Sequence, residues 1–399
     1  MRTAPGRAKA TYGTATGERI ARERSVLETL ARHGPMSRAD LARALGVMRS
    51  TTGTLVSRLL DQGMVRIAGQ AAMVATSRSV GRPGELLTIN PDDQHCIGAE
   101  VGVGCFRVIR TDLAGDIREV REHPMAVSAQ RPQAVANALV DLIDAAAAAA
   151  PRIGGVAIAM PGIVSKGGHV IRLPTLDWQD IPLRSLIADR LAKYGDLWLE
   201  NDANAFAIGE VTRRQDPDVP VQLFLFLDAG LGGAIVIDGR LMSGQSGLAG
   251  EFGHMFLPEP RAGAGAVSKR AEDILGRHAV LARLKKRGMR VKDFEEFLLM
   301  HERRDMAAVT AAEDWLDALA TLLSSLTSAF NPNEVVLGGA MATLAERELP
   351  RLLQGYKNNL LHGTPPAQLV FSQSGAHCVG LGCADICRTA IFRKSSSLM

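Results

Sequence analysis

The stretch Leu199–Glu210, LENDANAFAIGE, constrains this chain more than any other. It follows Gly195 and the short apolar run 196–199, which reads as a buried strand, and it opens directly into a helical pattern. A carboxamide and a carboxylate at the end of a strand are costly to bury unpaired, so they require a polar ligand or a protein partner. Asn201 and Asp202 together can donate to and accept from one sugar hydroxyl, and Asp202 can also take its proton. Either residue can equally serve only to cap the helix that follows.

A second polar pair stands in Gly247–His254, GLAGEFGH, where Glu251 and His254 are three residues apart. On one helical turn both side chains face one ligand. Two such pairs in one chain favour a binding cleft over two unrelated caps.

Charge is unevenly spread. Residues 1–90 hold 14 Lys and Arg against 6 Asp and Glu, while the remainder holds 32 against 36. A basic first quarter on a slightly acidic body points to nucleic acid for that quarter alone, with a solvated basic face as the alternative. At 399 residues the chain exceeds one ordinary core, so two or three domains are expected. No apolar run is long enough to cross a bilayer, and residues 1–17 lack the apolar segment of a secretory signal, which predicts a cytoplasmic protein without membrane contact. Cys96, Cys105, Cys378, Cys383 and Cys387 show no paired spacing and read as reduced core residues.

Residues 1–17 have no period and are expected to be disordered. From Glu18 to Arg32 apolar residues recur at helical spacing and stop at His33-Gly34-Pro35. Ser37-Arg38-Ala39-Asp40 has the form of a capping box and starts a second short helix that breaks at Gly46. The third segment, Met48–Gln62, carries Thr52, Leu55, Val56, Leu59 and Leu60 on one side and Arg49, Ser50, Thr51, Gly53, Thr54, Ser57 and Arg58 on the other.

That order is the pattern of a helix-turn-helix whose third helix enters the DNA major groove, against the alternative of a helical hairpin for protein contact. Arg49 suits a guanine edge, while Ser50, Thr51 and Thr54 suit phosphates or a base edge. Gly53 costs about 1 kcal/mol of helix propensity, and close approach to the DNA backbone is its compensation. Met64–Ile67, a long Ala/Ser/Thr/Arg segment with Gly81-Arg82-Pro83-Gly84, and Leu86–Ile89 read as strand, loop and strand: a wing. Arg82 at its tip has the shape to enter a narrow, A·T-rich minor groove.

With these motifs in order, the chain resembles the ROK family of repressors, open reading frames and kinases, from about Glu18 to Ile391. Among its members the resemblance is to the repressors that answer N-acetylglucosamine or glucose. It implies a winged helix-turn-helix over 18–90, followed by a two-lobed α/β body of the actin-like, sugar-kinase-like (ribonuclease H-like) type. One lobe takes 91–200, with 379–393 returning to it, and the other takes 201–378. The resemblance assigns Asn201, Asp202, Glu251, His254 and the loop at Gly162 to a sugar cleft. The family's last sugar-contacting glutamate falls at Asp273, beside Glu272, and the choice between the two stays open.

Two glycine loops that hold nucleotide phosphate in the family's kinases are altered. The first reads Glu100-Val101-Gly102-Val103-Gly104-Cys105, with glutamate for aspartate and no hydroxyl. The second reads Asp228-Ala229-Gly230-Leu231-Gly232-Gly233, with a carboxylate where phosphate approaches. Together they speak against phosphoryl transfer. The family's structural zinc loop pairs the position of His254 with three cysteines, which here fall at Ala264, Ala266 and Ala271. One histidine cannot replace four N/S ligands, so no metal is expected.

The combined expectation is a transcriptional regulator, a repressor of carbohydrate uptake or catabolism genes, with no enzymatic activity and no cofactor. It binds an inverted, A/T-rich operator in double-stranded DNA as a homodimer or homotetramer, and a sugar in the cleft modulates that binding. The alternatives are an ATP-dependent sugar kinase with Asp202 as general base, and a regulator that answers a protein partner instead of a small molecule.

Overall fold

A computed structural model describes residues 15–70, 85–125, 131–165, 167–214, 219–259, 268–286 and 288–394. The chain divides into two compact units, the first with residues up to Gln94 joined by 112–115 and the chain from Arg388 onward, the second with 95–111 and 116–387.

In the first unit the helices are Ala15–His33, Arg38–Leu45 and Arg49–Asp61. The first begins at Ala15 rather than Glu18, so the expected irregular tail is shorter at its end; residues 1–14 lie outside the described residues. Ser37 caps the second helix in a full capping box with Asp40, and Gly46 closes it at φ 63°, a left-handed conformation that costs glycine nothing. Val26, Leu27, Leu30, Leu41, Leu55, Val56 and Leu59 form the core under these helices, each at most 5% exposed. Strands Val65–Gln70 and Glu85–Ile89 pair antiparallel, Val65 opposite Ile89, and Met36–Ser37 adds a third strand beside Glu85–Ile89. These are the two expected strands; the segment between them, including Arg82, lies outside the described residues.

The second unit holds two five-stranded sheets of the same plan. In one, Asp196–Asn201, Ile153–Met160 and His95–Val101 run parallel, and Cys105–Asp112 with Ile117–Pro124 forms an antiparallel hairpin at the other edge. In the other, Val221–Leu227, Glu334–Gly338 and Gln368–Phe371 run parallel, and Leu231–Ile237 with Arg240–Leu241 continues antiparallel. Near-continuous apolar strands such as 221–227 are what parallel strands covered on both faces require.

Two helices pack between or against these sheets through glycine. Cys378–Lys394 approaches strand 95–101 so closely that a Cβ at Gly98 would lie 1.9 Å from the Gly380 carbonyl. The same helix meets Asp202–Arg213, where a Cβ at Gly382 would lie 1.8 Å from the Ala205 carbonyl. The expected helix Met306–Phe330 forms with those bounds, capped by Asp305. The expected helix over 271–287 does not form as one piece. It breaks at Gly276 into Glu272–Leu275 and Arg277–Lys286, because the Gly276 backbone is extended and packs on the Ala229 carbonyl.

Candidate functional site

The second unit contains a cleft of about 410 Å³ that draws residues from both sheets. Its lining brings together Gly162, Asn201, Asp202, Glu251 and His254, which stand up to 92 positions apart in sequence, together with Glu100 and Asp228 of the two altered glycine loops. The strand end at Asn201 delivers its polar pair as the local pattern predicts.

Asn201 is committed to the fold as well as to the cleft. Its Oδ1 accepts from Ala203 N at 2.9 Å and Asn204 N at 3.2 Å, capping the helix, and its Nδ2 donates to the Gly162 carbonyl at 3.1 Å. One amide hydrogen is left for a ligand. Asp202 spends one oxygen on Ala203 N at 2.8 Å and has no ion pair among the described residues. Burial, reinforced by the negative charges of Glu100, Asp228 and Glu251, pushes its carboxyl up to about 7.

Glu251 precedes and His254 ends a single 3-10 turn, Phe252–His254, with Oε2 and Nε2 3.9 Å apart. Gly253 lets that turn press on strand 231–237, since a Cβ there would meet the Leu231 carbonyl at 2.2 Å. Burial raises the Glu251 carboxyl above its usual range, against the pull of His254.

Of the two carboxylates left open by the sequence, Glu272 lines the cleft and Asp273 does not. Asp273 is exposed and lines a neighbouring shallow pocket with Ala229, Gly230 and His278. Of the pair, it is therefore Glu272 and not Asp273 that shares the cleft with Asn201, Asp202, Glu251 and His254. Adjacent residues of the short helix Glu272–Leu275 diverge by about 100°, so a one-residue offset changes which side chain enters.

The altered glycine loops are occupied by the protein's own charges. Glu100 Oε2 accepts from Arg107 Nη1 at 2.8 Å, and the same guanidinium donates to Glu122 at 2.6 Å and to the Ala376 carbonyl at 2.5 Å. Burial pushes Glu100 up to about 7 even so. Asp228 lies 3.5 Å from Arg277. Five carboxylates, Glu100, Asp202, Asp228, Glu251 and Glu272, line the cleft with Arg172, Arg270 and His254, and two of them, Glu100 and Asp228, have arginines of their own in Arg107 and Arg277. Arg107 was not singled out by sequence; its only signal is an inward position on strand 105–112 paired across to Glu122.

The zinc reading fits this chain poorly. Ala271 is fully buried in the apolar core, Ala264 and Ala266 lie outside the described residues, and His254 is exposed. Among the described residues no group of three or more His, Cys, Asp or Glu is placed to hold a metal ion. The base of that loop is closed instead by the two-stranded ribbon Phe256–Leu257 and Lys269–Arg270, with a Lys269–Glu259 ion pair at 2.6 Å.

In the first unit, Arg49, Ser50 and Thr54 are exposed on the helix Arg49–Asp61, while Thr51 and Gly53 are half-buried. Nothing lies within 4 Å of the place a Gly53 Cβ would take. Arg58 departs from the expected outer face. Its Nε is 3.3 Å from Glu23, whose side chain is 0% exposed, so it ties the third helix to the first.

The ROK family profile matches residues 96–390. The chain belongs to the ROK family. Ahead of that ROK body, a MarR family profile matches residues 21–72, which contain the helices Arg38–Leu45 and Arg49–Asp61. The ROK chain is 27% identical over 382 residues to a putative xylose repressor of Caldicellulosiruptor sp. (strain Rt8B.4), covering 90% of this chain and 93% of that protein. It is 31% identical over 231 residues to an N-acetyl-D-glucosamine kinase of Pectobacterium carotovorum, covering 52% and 72%. A solved ROK family transcriptional regulator, described as a homologue of the E. coli MLC protein, superposes with a TM-score of 0.76 at 20% identity over 96% of this chain and 98% of that one. The fold is thus a winged helix-turn-helix with a ROK body. Among the described residues no helix is long and apolar enough to cross a membrane.

Proposed function

We propose that this ROK protein is a DNA-binding transcriptional repressor whose hold on its operator is set by a sugar in the cleft. The observation that carries the reading is the charge of that cleft. It keeps the carboxylates and the histidine that grip hydroxyls, and its two glycine loops hold Glu100 and Asp228, each beside its own arginine, on the side where the kinases' loops take phosphate. Asp202, Glu251, His254 and Glu272 are the ligand contacts in this reading, with Asn201 positioning the loop at Gly162.

Arg49, Ser50, Thr51, Thr54 and Arg82 are the DNA contacts, with Gly53 allowing close approach. A paired head on an inverted operator follows from the small surface of one recognition helix and one wing, so a homodimer or homotetramer is part of the proposal. The division into lobes at about residue 200 has the support that each sheet draws all its strands from one side of it. Since the xylose repressors are relatives, an aldopentose is the first ligand to try.

The test is a mobility shift of a fragment of the protein's own promoter, with and without xylose, glucose, N-acetylglucosamine and related sugars. If none changes the bound fraction, the effector half of the proposal is lost. One observation favours a kinase instead: a carboxyl held near 7, as Asp202 is, suits a general base at neutral pH. Sugar-dependent release of ADP in a coupled assay would decide for that reading.

A further inference from the structure

Met48 stands where two local preferences oppose it. It is the N-cap of the helix Arg49–Asp61, a position that favours Ser, Thr, Asp or Asn, and no side chain caps that helix. The residue is also 74% exposed. The backbone, by contrast, is held firmly. The Met48 carbonyl accepts from Thr52 N–H at 3.0 Å and from the Thr52 hydroxyl at 3.3 Å, and Thr52 is fully buried. The result is a fixed pedestal that presents a flexible apolar side chain next to exposed Arg49 and Ser50.

An uncapped helix start and an exposed thioether add nothing to the folded state. Such a conflict between sequence and local structure is expected where binding makes use of it. We infer that Met48 is a specificity-determining residue that packs on the C5 methyl group of a thymine in the operator; this rests on the DNA-binding reading above. The first residues of a recognition helix are the ones that reach base edges in the major groove. There the thymine methyl is the apolar mark that separates T from C, and it is met by apolar side chains. Methionine is unbranched and polarisable, so it adapts to that surface without a fixed rotamer. Arg49 beside it supplies the polar contact to a neighbouring base.

The experiment uses the full-length protein to select duplexes from a randomised library. Each thymine of the recovered sequence is then replaced by deoxyuridine, which lacks only the methyl. We expect one thymine per half-site whose replacement weakens binding about four-fold, the transfer free energy of one methyl group. At that thymine the Met48→Ala protein shows no further loss, while Met48→Leu keeps it. If the protein binds the selected duplex but every replacement acts equally on the parent and on Met48→Ala, the inference is overturned. Failure to select any duplex would instead overturn the DNA-binding reading beneath it. Matching thermal midpoints for the parent and Met48→Ala confirm that the comparison is between folded proteins.

Discussion

The Arg107 guanidinium lies 2.8 Å from the Glu100 carboxylate, and the two side chains are 13% and 12% exposed. This ion pair occupies the first altered glycine loop with charge that belongs to the protein. Removing the cation while leaving the buried acid is a costly way to break such a pair. Urea unfolding of Arg107→Met at pH 8 should show a loss of about 3–5 kcal/mol. At pH 5.5 the loss should be much smaller, because burial pushes Glu100 up to about 7 and it can take up a proton there. Equal losses at the two pH values would contradict the pairing.

Asp202 gives a second pH dependence. Its folded carboxyl is raised from 3.8 to about 7, so the folded state binds this proton more tightly than the unfolded chain does. The stability it contributes is fully present below about pH 4 and is lost as pH rises through about 7. Asp202→Asn should flatten that part of the stability profile. In the ligand reading, the ionised carboxylate is the better hydroxyl acceptor, so sugar affinity should rise from pH 6 to pH 8. Asp202→Asn should weaken binding by roughly 10- to 100-fold and abolish the trend, as seen by calorimetry.

The two arginines of the third helix are expected to separate cleanly. Arg58→Ala strands Glu23, which is 0% exposed, and should lower the stability of the head by several kcal/mol, about 3 or more. Arg49→Ala, on the exposed face, should leave the thermal midpoint within a degree or two and remove most DNA affinity. A reversed outcome would place Arg58 at the DNA instead.

Gly53 offers a trade between stability and binding. Nothing within 4 Å opposes a Cβ at that position in the free protein. Gly53→Ala should therefore stabilise the helix by about 1 kcal/mol. If the glycine serves close approach to the DNA backbone, the same substitution should weaken operator binding in a titration by fluorescence anisotropy; unchanged affinity would leave the glycine without a binding role.

Much of the architecture was legible because its signals are local. The Ser37–Asp40 capping box, the left-handed turn at Gly46, the 25-residue helix Met306–Phe330 and the strand-to-helix junction at Asn201 each depend on residues a few positions apart. The side on which a single residue acts was decided elsewhere. Arg58 looked outward by helical spacing yet pairs with Glu23, 35 positions earlier. Glu272 lines the cleft and its neighbour Asp273 does not, a choice between adjacent carboxylates that only the fold makes. Asn201 was divided between cap and cleft by the Gly162 carbonyl, 39 positions away.

By itself, then, the sequence determined which elements form, which chemistry-bearing residues exist, and that both phosphate loops are altered, the first by a longer carboxylate without its hydroxyl and the second by an added carboxylate. Tertiary structure alone decided which of those side chains face the cleft, which are consumed in holding the fold, and where Glu100 finds its cation. The physical reason is that periodicity and capping act over a few residues, whereas desolvation and ion pairing depend on neighbours that only the folded chain brings within a few ångströms.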